Sequence, residues 1–291
     1  MTAALVEQAP AKINLTLRVL RRRADGYHDL ESLVAFADVA DLVRLQPGAD
    51  DGLEIAGTFA AQSGPLSDNL VIKALHELRG RMNGLRAGRF SLEKKLPVAA
   101  GLGGGSADAA AALRLLARLN DIHPTDGRLT AAARSVGADV PVCLDPRPRI
   151  MRGVGEQLSA PLDFPPLPAV LVNPGVPVAT RDVFGRFSAA NDHNLLARVP
   201  QDFDALIECI RLHGNDLTEA AVACAPVIGL VLDALNALPG CKLARMSGSG
   251  ATCFALFRTG GEAGKAARRL QQAHETWWIR PATLGLPPAR S

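Results

Sequence analysis

The segment PVAAGLGGGSADAA, residues 97–110, restricts what this chain can build more than any other stretch. Gly101, Gly103, Gly104 and Gly105 place four glycines in five positions, and Ser106 and an alanine-rich run follow. The preceding RFSLEKKL, residues 89–96, alternates apolar and polar side chains as a half-buried strand does. The order is therefore strand, glycine loop, helix N-terminus. Glycine reaches backbone conformations closed to other residues and lets a ligand approach the main chain. A helix start adds unpaired N–H groups and a partial positive charge, which together make an anion site. A surface turn has no need of so many glycines, since each raises the entropic cost of ordering the chain.

The loop matches neither common phosphate motif. No lysine follows Gly105, as a P-loop requires, and Ser106 stands where G-x-G-x-x-G needs its third glycine. The plainer alternative is a turn with Ser106 as N-cap of a helix running from Ala107 to about Leu119.

A chain of 291 residues with 48% hydrophobic content supports one large domain or two of ordinary size. The formal net charge of +3 is small, and basic residues are spread apart from Arg21–Arg23, so no nucleic-acid footprint exists. The five cysteines are widely spaced, and the six histidines show no zinc spacing. A signal peptide and a membrane-spanning run are both missing, so the expectation is a soluble cytoplasmic protein kept reduced.

AKINLTLRVL, residues 11–20, reads as one strand with Ile13, Leu15, Leu17 and Val19 on one face. Lys12 and Asn14 share the other face, and Lys12 read alone is a solvated strand-end lysine. Asp25–Gly26 in RRRADGYHDL marks a hairpin. Tyr27, the single tyrosine, either stacks on a planar ligand or packs over that hairpin; His28 is a ligand contact or a surface histidine. Residues 67–84 predict a capped amphipathic helix. RLTAAARSVGADV, residues 128–140, predicts a helix closed by Gly137, with Pro141 preventing its resumption. Asp139 is then a turn former or a base on a rigid support.

PLDFPPLP, residues 161–168, holds four prolines and sets the expected domain boundary, 1–160 against 161–291. Beyond it come a buried strand, a loop through PVATRDVFGRF, and helices at 202–213 and about 217–237. A strand–loop–strand, CKLARMSGSGATCFALF, follows with a second glycine–serine loop at 246–250. A helix over 262–274, a terminal strand and a mobile LPPARS tail complete the reading.

APAKINLTL, RADGYHDLESL, LPVAAGLGGGSADAA, GADVP, RGVGE and MSGSGATCFALF occur in this order. Together they resemble the 4-diphosphocytidyl-2-C-methyl-D-erythritol kinases, from about residue 9 to 260. That family sits within the galactokinase–homoserine kinase–mevalonate kinase–phosphomevalonate kinase superfamily. Both glycine loops resemble the superfamily at large, whereas PAKINL and DGYH resemble this family in particular.

The resemblance implies an α+β kinase with a ribosomal-protein-S5-like N-terminal ATP-binding domain and a ferredoxin-like C-terminal domain, the active site lying in the cleft between them. It implies transfer of the γ-phosphoryl of ATP, with Mg²⁺, to the 2-hydroxyl of the cytidyl alcohol in non-mevalonate isoprenoid synthesis. A sibling kinase acting on homoserine or mevalonate is the alternative. Carried over by motif, Lys12 and Asp139 become the catalytic pair. The phosphate loop becomes Pro97, Val98, Ala99, Ala100, Gly101, Leu102, Gly103, Gly104, Gly105, Ser106 and Ala107. Asn14, Tyr27 and His28 fall at substrate positions, and Phe184 stacks the cytosine opposite Tyr27. Lys94 and Asn69 are candidates for the adenine pocket. Ser106 is a candidate ligand of Mg²⁺ or of a phosphate. The implied partner is a small molecule, with no nucleic acid or membrane, and the protein is a monomer or weak homodimer.

Phosphoryl transfer asks mostly for positioning and charge neutralisation. A carboxylate of ordinary pKa, about 3.9, is too weak a base to ionise an alcohol before attack. Proton transfer to such a base therefore comes late, as bonding to phosphorus develops.

Overall fold

The computed structural model describes residues 3–188 and 195–285; the LPPARS tail lies outside them. The N-terminal half begins with strands β1 (Leu5–Asn14), β2 (Arg18–Arg22), β3 (His28–Gly48) and β4 (Gly52–Ala56). Helix α1 (Leu70–Arg79) and strand β5 (Ala87–Glu93) lead to helices α2 (Gly104–Leu119), α3 (Gly127–Val136) and α4 (Val140–Leu144). A hairpin of β6 (Arg149–Gly153) and β7 (Gln157–Leu158) ends this half.

The C-terminal half runs β8 (Leu167–Asn173), α5 (Thr180–Arg186), α6 (Phe203–His213), α7 (Thr218–Cys224) and α8 (Val227–Asn236). Strands β9 (Leu243–Met246) and β10 (Cys253–Leu256), helix α9 (Gly260–Ala273) and strand β11 (Trp278–Leu284) complete it. The architecture is α+β, with helices packed on a sheet that is antiparallel except where β4 pairs parallel with β5.

Strand β3 organises the molecule. Its 21 residues pair antiparallel with β1, β2, β5 and β6, and at Ala37 with Leu284 of β11. That last pairing joins the β11–β8–β10–β9 ladder to the N-terminal strands. Three apolar clusters follow. Phe36, Phe90, Leu113 and Leu116 lie in the first, beneath α1 to α4. Val170, Phe257 and Leu270 lie in the second, beneath α7 to α9. The third, with Ile13, Leu33, Leu171 and Phe254, fills the space between the halves.

Several local expectations change in the fold. The strand expected over 11–20 breaks after Asn14, and both of its faces are buried, Lys12 included. Helix α1 starts at Leu70, after a short 3₁₀ turn at 66–68, and is capped by the Asn69 side chain. Pro141 does not stop the chain from turning helical. It lies in the first turn of α4, where its missing N–H leaves no bond unmade. Gly137 ends α3 with an extended backbone, φ 174°. Residues 180–186, expected as loop, form α5, and Pro226 splits the helix expected over 217–237 into α7 and α8.

The change at the glycine loop bears directly on chemistry. Helix α2 begins at Gly104 rather than Ala107, with Gly103 as N-cap at φ 60° and no side-chain cap. Gly104, Gly105 and Ser106 therefore occupy the first turn, whose N–H groups have no intrahelical acceptor. Ser106 is not the cap.

Candidate active site

A cleft of about 1250 Å³ opens where β1, the glycine loop, the β2–β3 hairpin and α5 converge. Lys12 lines it from β1 although the residue is only 4% exposed. A bulge between Pro10 and Lys12, and a bond from the Lys12 N–H to the Leu102 carbonyl (2.8 Å), fix that part of the strand. Nζ of Lys12 lies 2.9 Å from Asp139 Oδ2 and donates to Asn14 Oδ1 at 2.9 Å. Asn14 Nδ2 donates in turn to Ser32 Oγ at 2.8 Å, and Ser32 Oγ to the Thr16 carbonyl at 2.5 Å. The chain of bonds holds the Lys12 ammonium against one carboxylate oxygen. Asp139 stands at the junction of α3 and α4, its side chain 34% exposed towards the cleft.

The two glycine loops are laced together. Ser247 Oγ donates to the Gly101 carbonyl at 2.8 Å and accepts the Asn14 N–H at 3.0 Å. Asn215 Nδ2 donates to the carbonyls of Met246 (2.8 Å) and Gly248 (2.9 Å), which fixes the second loop from α7's side. Gly101, at φ 75°, has no room for a side chain. A Cβ there would press on the Ser247 carbonyl and come within 2.9 Å of the Gly250 carbonyl. At Gly103 a Cβ would sit 3.1 Å from Lys12 Cε and 3.9 Å from Asp139 Oδ2. The free N–H groups of α2 thus open beside the Lys12–Asp139 pair.

Of the loop residues, Pro97, Val98, Ala99, Ala100, Gly101, Gly103, Gly104, Gly105 and Ser106 line the cleft. Leu102 and Ala107 turn into the core instead, and the Ala107 N–H is spent on the Gly103 carbonyl. Lys94 and Asn69 line the same end of the cleft.

The opposite end is built from side chains. Tyr27, 65% exposed, and His28 come from the tip of the β2–β3 hairpin, where Gly26 takes φ 88°. Phe184 projects from α5 and stacks on His28, with ring centroids 4.9 Å apart and planes at 24°. Phe187 meets the same imidazole edge-on at 6.5 Å. Burial, and then the charge of Arg22, lower the His28 pKa below its ordinary value, so the ring is neutral near pH 7. The ring facing Phe184 is His28, with Tyr27 at the rim.

Sequence reading missed several contributors. Ser32 and Asn215 carry no motif signal, and only the folded chain brings them to Asn14 and Ser247. Thr180 and Ser249, whose hydroxyls are 3.0 Å apart, join α5 to the second loop. Arg22 and Arg181 also line the cleft. The MSGSG pattern did signal a second loop, but not that its Ser247 would bridge to Gly101.

Comparison with known proteins identifies the family. Residues 69–145 match the family model "GHMP kinases N terminal domain", and residues 193–276 match "GHMP kinases C terminal". Fold and site thus define a small-molecule kinase of the ATP-using GHMP class. A 4-diphosphocytidyl-2-C-methyl-D-erythritol kinase of Methylorubrum extorquens is 53% identical over 287 residues, covering 96% of this chain and 99% of the relative. One from Rhodopseudomonas palustris is 52% identical over 294 residues, covering 97% and 99%. A crystal structure of 4-(cytidine 5'-diphospho)-2C-methyl-D-erythritol kinase, 35% identical, superposes with a TM-score of 0.77 and covers 97% of this chain and 100% of that one. The chain belongs to the 4-diphosphocytidyl-2-C-methyl-D-erythritol kinase family. A homoserine kinase from Cytophaga hutchinsonii, 20% identical with a TM-score of 0.73 over 99% of this chain and 96% of that one, shares the fold. Among the described residues, no helix is long and apolar enough to cross a membrane.

Proposed function

We propose that this chain transfers the γ-phosphoryl group of ATP to the 2-hydroxyl of 4-diphosphocytidyl-2-C-methyl-D-erythritol. The observation that carries the reading is the 2.9 Å Lys12–Asp139 pair beside the uncapped start of α2. One half of the cleft suits an anion held by backbone N–H groups, and the pair offers a proton acceptor at its border.

Asp139 accepts the hydroxyl proton as the oxygen bonds to phosphorus; the bond from γ-phosphorus to the bridging oxygen breaks, and ADP leaves. Lys12 orients Asp139 and stabilises the charge developing between donor and acceptor. The N–H groups of Gly104, Gly105 and Ser106 hold phosphate oxygens, with Pro97 to Gly103 shaping the approach. The donor set fits Mg²⁺. The ion commonly takes one or two protein oxygens and completes its shell with phosphate and water, so it requires no dedicated cage. The described residues contain no cluster of three or more metal-binding side chains, and the cleft offers Ser106 Oγ and the Asp139 carboxylate. Ser106 and Asp139 would hold Mg²⁺ there, and the ion would supply neutralisation of phosphate charge.

The acceptor's cytosine stacks at the Phe184–His28–Tyr27 end, and Asn14 helps orient the acceptor beside Lys12. Arg22 and Arg181, which line that end, face the acceptor's diphosphate. The two halves of the reading correspond to an ATP-binding region, 1–160, and a C-terminal region, 161–291, acting in the cytoplasm. The first and second apolar clusters support that division, since each draws chiefly on one half.

A coupled ADP-release assay across three alcohols tests the assignment. Turnover is expected with the cytidyl alcohol and not with homoserine or mevalonate. Turnover on either of the latter, with none on the cytidyl compound, overturns it.

A further inference from the structure

Three ionisable side chains lie buried beneath the phosphate loop; Lys94 and Asp108 reach the cleft wall, but the proton transfer and phosphate contacts above use none of the three. Lys94, just past β5, donates from Nζ to Asp41 Oδ2 at 2.5 Å and to Asp108 Oδ2 at 2.6 Å. The three side chains are at most 4% exposed. Asp41 lies on β3, and its second oxygen accepts the N–H groups of Lys95 (2.5 Å) and Leu96 (2.8 Å). Asp108 lies in the second turn of α2. The residues entering the loop and the helix leaving it are therefore both tied to one point on the central strand.

The cluster also sits directly under the anion site. A Cβ on Gly104 would be 3.3 Å from Lys94 Nζ and 3.8 Å from Asp41 Oδ2. Gly104 is the first residue of α2, so the ammonium supports the turn whose N–H groups face the cleft. Taking three charges out of water costs several kcal/mol per ion, and well-packed apolar side chains often stabilise as well or better. Holding a fixed geometry is what the ions add here.

We propose that Asp41, Lys94 and Asp108 are positioning residues that clamp both ends of the phosphate loop and thereby set nucleotide affinity. The proposal rests on the ATP reading of that loop. It separates two effects: losing the clamp loosens the first turn of α2, while the acceptor end, built on the β2–β3 hairpin and α5, keeps its geometry. Burial pushes the Asp108 carboxyl up to about 7, against the opposing charge of Lys94 and with Asp41 adding to the rise. Asp108→Asn keeps an oxygen that can accept from Lys94 and removes only the ionisable group, whereas Asp108→Ala removes the acceptor itself. Oδ1 of Asp108, buried without a hydrogen-bond partner among the described residues, is spare to the clamp.

The test compares Lys94→Met, Asp108→Ala and Asp108→Asn with the wild type by steady-state kinetics and by calorimetric titration with ADP. Lys94→Met is expected to raise the KM for ATP and the Kd for ADP at least tenfold, with the acceptor KM within twofold of wild type. Asp108→Ala should shift the nucleotide constants in the same direction, and Asp108→Asn should restore them to within about threefold. Unchanged nucleotide constants in Lys94→Met, or an equal rise in the acceptor KM, overturns the clamp. If Lys94→Met does not fold, equal nucleotide constants in Asp108→Ala and Asp108→Asn overturn it instead. A wild-type protein that binds no ADP would instead undo the ATP reading itself.

Discussion

The two ends of the cleft are made of different material. At the end proposed for phosphate the groups on offer are main-chain: N–H groups of Gly104 to Ser106, set by a left-handed Gly103 and held through Ser247, Lys12 N–H and the buried ions. At the acceptor end they are side chains: the exposed Tyr27 ring, the His28–Phe184 stack, and Arg22 and Arg181. A backbone site tolerates little change of shape: a Cβ on Gly101 would collide with backbone carbonyls, and one on Gly103 or Gly104 would crowd the Lys12 or Lys94 side chain. A side-chain site is adjusted residue by residue. The contrast fits a kinase whose phosphate donor is common to a whole superfamily and whose acceptor is particular to one family.

The largest effect is expected at the border of the two ends. Asp139→Ala should lower kcat by about 10²–10⁴-fold, the range spanned by a lost general base, while ADP still binds by calorimetry. Turnover near wild type in that variant would remove the proton-acceptor role. Next comes Gly101→Ala at the phosphate end. Its methyl group meets two backbone carbonyls at a positive φ, so a destabilisation of about 2–4 kcal/mol is expected, together with a raised KM for ATP. A folded Gly101→Ala protein with unaltered Tm and ATP kinetics would show that the loop is not rigid. The smallest effect belongs to the acceptor end. Tyr27→Ala should raise the acceptor KM by about tenfold, as expected for loss of one to two kcal/mol of stacking, with the ATP KM unchanged. An effect on ATP alone would erase the distinction between the ends.

How much of this was legible beforehand follows the same division. The strand–glycine–helix order, the DG hairpin, the helix expected at 202–213 and found at Phe203–His213, and the strand pair around MSGSG were all readable, because each depends on local backbone preference. Lys12 was not readable from its own strand, where an alternating pattern suggested a solvated lysine. It is buried because the glycine loop packs over one face of β1 and the third apolar cluster over the other. Its role came into view only through the resemblance of the whole motif set. Ser32, Asn215 and Asp41 gave no signal, since a lone polar residue announces its partner only after the chain brings the two together. The loop expected at 180–186 became α5 through packing: Val183 is fully buried against the C-terminal cluster, although the segment has no side-chain cap.

By itself the sequence determined that a glycine loop lies between a strand and a helix, and the ordered motifs around it marked the family. Backbone freedom is written in glycine, and a helix start offers its N–H groups wherever the helix is built. Where that helix starts was decided by tertiary structure. In the fold the first turn begins at Gly104 rather than Ala107, close to Lys12 and the buried ions, which leaves three N–H groups without an intrahelical acceptor. Tertiary structure also placed Asp139 at 2.9 Å from Lys12, across more than half of the N-terminal region. Charge pairing acts through a few ångströms of space, and no pattern along the chain records which distant residues will share it.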